Sequence, residues 1–146
     1  MSLMVDIADA VVAQINAGTF SEQFEAGRVY LPQYDMTELE QVRVTVVPRT
    51  LSLEPGTRGA HQHVVTVEVA VQKRVPDLEP AKLDDLCTLV QEIVDEFLGG
   101  ELAALPGVMV TDVTVAPTFA PEHLEEKGTF TSLITLACTC WRLPGT

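Results

Sequence analysis

Three histidines are the first residues whose chemistry has to be weighed. His61 and His63 stand two apart at the start of an alternating stretch, so a strand would put both imidazoles on one side and offer them to a metal. A stable site needs a third and usually a fourth ligand at fixed geometry. Only His123, with its neighbours Glu122, Glu125 and Glu126, is an obvious donor, and nothing in the sequence brings that cluster to the pair. A polar pair at a loop–strand junction is the better reading. A small metal-dependent enzyme or binding domain using His61, His63 and His123 is kept as the alternative from another functional class.

The thiols point the same way. Cys138 and Cys140 share a strand face with Ile134 and Leu136, and Cys87 falls on or next to the apolar stripe of a helical segment. All three are expected in the core, where a thiol in apolar surroundings is inert. The Cys-x-Cys spacing is also not the Cys-x-x-Cys of redox or zinc-knuckle sites. No serine sits in a Gly-x-Ser-x-Gly elbow, and Gly56-Thr57-Arg58-Gly59 lacks the length and lysine of a phosphate loop. Adjacent carboxylates such as Asp84-Asp85 and Glu125-Glu126 are expected on solvated faces. No catalytic, cofactor-binding or metal residue is assigned, no cofactor is expected, and the chain is not expected to be an enzyme.

The elements that would position these residues follow from hydrophobic period. Met4, Ile7, Val11 and Ile15 keep a three-and-four spacing and predict a helix from Met4 to Ala17, with Asp6 and Asp9 in the early turns and Gly18 supplying a left-handed end. A short extra strand is expected near Arg28–Leu31, ended by Pro32. Asp35 and Glu38 resemble a capping box before one helical turn. Val42, Val44 and Val46 alternate with Arg43 and Thr45 and predict a strand over Gln41–Val47, which Pro48 ends, bulges or confines to an edge. Leu51 and Leu53 continue the alternation weakly, and Glu54–Gly59 reads as an exposed loop. His61–Arg74 is the next strand, with Val65, Val67, Val69 and Val71 on one face.

Pro80 suits a first helical turn, and Leu83, Leu86, Leu89, Val90, Ile93 and Phe97 form a wide apolar stripe ended by Gly99-Gly100. Gly107–Val115 is a strand, Pro117–Lys127 a connection, and Thr129–Arg142 a long final strand. The expected architecture is α+β: an antiparallel, mainly four-stranded sheet with two helices packed on one face, in the order α-β-β-α-β-β. The face opposite the helices, with Thr129, Thr131, Thr135 and Thr139 on one strand and Val64, Thr66 and Ala70 on another, is expected to be semi-polar and available to another subunit. Edge strands could pair between subunits as well.

Composition agrees with one domain over 1–146. Apolar residues make up 47%, too many for a disordered chain, and the longest apolar run is far too short for a membrane span. The first residues lack the pattern of a secretion signal, and Met4 can serve as the natural start with residues 1–3 a leader. The odd cysteine count fits a reducing compartment. A net charge of −12 opposes direct binding of nucleic acid.

Four short phrases carry a resemblance: Tyr30-Leu31-Pro32, Val44-Thr45-Val46-Val47-Pro48-Arg49, the Val65–Lys73 strand, and Ala120-Pro121-Glu122-His123-Leu124. With the element order they resemble tail terminator proteins of tailed phages and prophages, the family of lambda minor tail protein U, over nearly the whole chain. The resemblance implies a minor tail protein that forms a homo-oligomeric ring, commonly a hexamer. Such a ring sits on the tail tube protein, stops its growth and presents a surface to a head-completion or neck protein. It implies a virion-tail location with assembly in the host bacterial cytoplasm, no membrane, and no catalytic residues. A head–tail joining protein is the near alternative. Arg49, Arg58, Thr131 and Thr135 are the expected interface contacts.

Overall fold

The computed structural model describes residues 2–30, 38–55, 60–116, 119 and 121–142, with the backbone alone at 38, 123, 126, 127 and 142. Its elements, in order, are α1 (Leu3–Ala17), β1 (Ala26–Arg28), a 3₁₀ turn (Glu38–Glu40), β2 (Arg43–Pro55), β3 (His61–Arg74), α2 (Pro80–Phe97), β4 (Glu101–Leu102), β5 (Leu105–Val115), α3 (Pro121–Lys127) and β6 (Thr129–Arg142). The strands form one curled, half-barrel sheet in the order β1-β2-β3-β6-β5-β4.

This corrects the expected architecture. The sheet is six-stranded and mixed, because β1 runs parallel to β2 while the other pairs are antiparallel. With two main helices the order is α-β-β-β-α-β-β-β. Of the two strands added to the main four, the first was expected as a short extra strand, a little late in the chain, and the second was not expected; β1 has three residues and β4 two, too few for a period of two to register. Polar side chains of α1 locate β1 instead. The Asn16 amide donates to the carbonyl of Ala26 (3.1 Å) and its oxygen accepts from the Ala26 N–H (2.8 Å), while Arg28 pairs with Asp9 at 2.7 Å. The curl goes with register shifts at Pro48/Thr50, Glu101/Leu102 and Val110/Asp112, because bulges bend and twist a strand.

α1 begins at Ser2, whose hydroxyl accepts from the Val5 N–H, and buries Ile7, Val11 and Ile15 over β1–β3. α2 buries Leu86, Leu89, Val90, Ile93 and Phe97 over β5 and β6. The strand side chains beneath them are Val44 and Val46, the four valines of β3, and Phe130, Ile134, Leu136 and Cys138. Gln14 links the layers by donating to the Glu96 carbonyl (3.2 Å) and accepting from the Ala103 N–H (3.1 Å).

Local expectations are corrected in four places. Gly18 is extended (φ −78°), not left-handed; a Cβ there would meet the Phe20 ring at 2.8 Å, so lack of space accounts for glycine. The short strand starts earlier than expected, at Ala26, and the connection before β6 contains α3. β2 runs on through a bulge at Pro48 to Pro55 and takes in the start of the expected loop. Asp35, Leu31 and residues 56–59 lie outside the described residues.

Candidate functional site

The helices leave the other face of the sheet to be accounted for. The strand register sets its side chains in rows across β2, β3, β6 and β5: Thr50–Thr66–Ala137–Asp112 is one, Val47–Glu68–Thr135–Thr114 the next. Towards the start of β2 the rows contain Thr45, Ala70 and Thr131. These are closed off: Thr45 is 1% exposed and Ala70 2%. The 3₁₀ turn lies against β3 there, and its Leu39 is itself buried. A parallel β1–β2 pair requires a crossover, of which the 3₁₀ turn is the described end.

The rest of that face is more open, although Val47 and Thr139 are buried there as well. Thr66, Glu68, Thr135 and Ala137 are half-buried, Thr50, Asp112 and Thr114 are exposed, and Trp141 projects at the far end with 60% of its surface in solvent. Arg49 reaches across to Glu68 at 3.1 Å. The Thr111 hydroxyl lies 2.9 Å from that of Thr139 and donates to the Ala137 carbonyl, which ties the β5 bulge to β6. The helix layer has the opposite character: α1 carries no cation and α2 only Lys82 against five carboxylates. One side of the domain is thus strongly acidic, the other short, polar and nearly balanced in charge.

The expected contacts divide along this line. Thr135 lies in the open half and Arg49 beside it, Thr131 is buried in the closed half, and Arg58 lies outside the described residues.

His61 and His63 do share a face, opposite Pro55 and Leu53 of β2. His63 is half-buried with Nδ1 unpartnered, and its neighbour in β6 is Cys140. His61 pairs with Arg142 at one end of β6, whereas α3, which carries His123, leads into Thr129 at the other end. Fourteen residues span those ends, roughly 45 Å of strand, so the backbone does not bring position 123 to the pair. Among the described residues no three His, Cys, Asp or Glu side chains are grouped to hold a metal.

Cys138 is fully buried, and burial, with Cys140 behind it, pushes its thiol up to about 11. Cys87 is only half-buried, and its thiol is raised by burial and then by Asp84. It lines an apolar cavity of about 230 Å³ with Leu83, Asp84, Phe119, Leu124 and Phe130; the one carboxylate among these described residues, Asp84, disfavours the thiolate.

Sequence reasoning raised pairing of edge strands between subunits but did not say which stretches are open. β1 covers β2 only over Val44–Val46, and β4 with Gly100 covers β5 no further than Val110. Beyond those points both edges lack a strand partner among the described residues. The weak Leu51/Leu53 alternation was the one signal of this. No family model and no curated protein matches the chain.

Proposed function

We propose that this protein is a structural subunit of a phage or prophage tail, the terminator that assembles as a ring on the tail tube and offers the surface to which the head attaches. The observation that carries the reading is the pair of strand edges left open on opposite sides of one sheet. A chain built this way presents two complementary sides to its neighbours, as ring assembly requires. The phrases shared with tail terminators supply the biological context, and the acidic surface suits a protein that stays dispersed until it meets its partner. The subunit works by contact and not by chemistry, takes no cofactor, does not bind nucleic acid directly, and is assembled in the bacterial cytoplasm before joining the virion tail.

The test is mass photometry of the purified chain over a range of concentrations, alone and with polymerised tail tube protein, followed by negative-stain microscopy. Ring-sized particles that cap tube ends and stop elongation are expected. A chain that stays monomeric and leaves tube length unchanged overturns the reading. Rings that bind the head vertex and ignore the tube would make it a head–tail joining protein instead.

A further inference from the structure

We infer that the two open edges pair with each other between copies of this chain, β2 of one copy against β5 of the next. The inference rests on the ring-forming reading above and names the surface that closes the ring. From Arg49 to Pro55 every residue of β2 is exposed, and along β5 from Thr111 to Val115 only Val113 and Val115 are half-buried. The two stretches are of comparable length.

Strand direction makes the pairing possible. β2, β3, β6 and β5 alternate, so β2 and β5 run in opposite directions within one chain. A neighbour generated by rotation alone therefore brings its β2 antiparallel to β5, with the helices on the same side of both sheets. The side chains match as well. On the helix side β2 offers Leu51 and Leu53, 43% and 59% exposed, and β5 offers Val113 and Val115, so a joined sheet would carry its apolar layer across the boundary. Setting Leu51 beside Val113 places Thr50 beside Thr114 on the open face and Ser52 beside Asp112. A slip of two residues would set Glu54 against Asp112, and like charges directly opposite are unfavourable. Pairing β2 with β2 would leave every β5 edge bare, whereas the β2–β5 contact covers both edges of every copy.

Paired cysteines test this. A chain carrying both Thr50→Cys and Thr114→Cys, oxidised with copper–phenanthroline, should give a ladder of covalent oligomers. Each single variant should give no more product than the unaltered chain, in which half-buried Cys87 sets the background. Leu53→Lys should raise the concentration needed for half-assembly about tenfold, the loss of one partly buried leucine, while the melting temperature stays near that of the unaltered chain. Dimers from Thr50→Cys alone overturn the inference, as do rings that form without the double variant cross-linking, or Leu53→Lys assembling at the original concentration. A ladder of open chains that never closes keeps the edge pairing and removes the terminator reading. A monomer at every concentration, even beside tail tube, removes both.

Discussion

Gly128 sits between α3 and β6 with φ +60°, and its N–H donates to the Leu124 carbonyl at 3.1 Å. A Cβ there would meet the Pro76 Cα at 3.1 Å. Gly128→Ala is expected to lower stability by about 1–2 kcal/mol in urea denaturation, through the left-handed backbone and the crowding together. Leu78 is the converse case. It holds φ +50° with its side chain 40% exposed, so Leu78→Asn should gain about 0.5–1 kcal/mol by relieving strain at little cost in burial. Cys138 links stability to pH. Its folded thiol titrates at about 11, above the value of an exposed thiol, so its contribution is complete below pH about 9 and lost as pH rises towards 11. Denaturation at pH 8 and pH 10.5 should show that loss in the unaltered chain and less of it in Cys138→Ala. The buried position of Cys138 was legible from its place among Ile134 and Leu136. The backbone of Leu78 was not, because nothing in a leucine announces a positive φ.

At the scale of elements, long and strongly patterned segments were legible and short ones were not. β3 and β6 occupy the expected residues, and α2 keeps its apolar stripe, because each runs long enough to repeat its period. Ile93 is fully buried beneath α2, and Ile93→Ala should cost about 2–5 kcal/mol. The N-terminus of α2 is less well made: Glu79 occupies the cap, but its side chain gives no capping hydrogen bond and turns to Lys82 at 3.6 Å. Glu79→Ser should raise stability by about 0.5–1 kcal/mol in the same measurement. β1 was expected a few residues late, near Arg28–Leu31, because its position is set by Asn16 and Asp9, which read as ordinary surface positions of a helix. The candidate site shared that fate. An open face was expected on Thr129, Thr131, Thr135 and Thr139, but of these only Thr135 is not buried, and the closed half goes with the 3₁₀ turn against β3, which no hydrophobic period announces.

At the scale of the whole molecule, charge and edges act against each other. If copies pair as proposed, their charge of −12 each opposes the contact, while the exposed leucines and the strand edges without a partner among the described residues favour it at short range. Salt screens the first effect far more than the second. Raising sodium chloride from about 0.05 to 0.5 M should therefore lower the concentration at which assembly begins, as followed by light scattering. An assembly that dissolves in salt would mean that ion pairs hold it.

The placement of β6 has a consequence during synthesis. It pairs with β3 along fourteen positions at the centre of the sheet, yet α2, β4, β5 and α3 all leave the ribosome between the two. For that interval β3 has α1 and the strands before it to pack against but lacks its long partner on the other side, and late partners of this kind make folding slow and exposed to aggregation. The nascent polypeptide is thus a natural client for chaperones that shield unpaired strands until translation delivers the missing one.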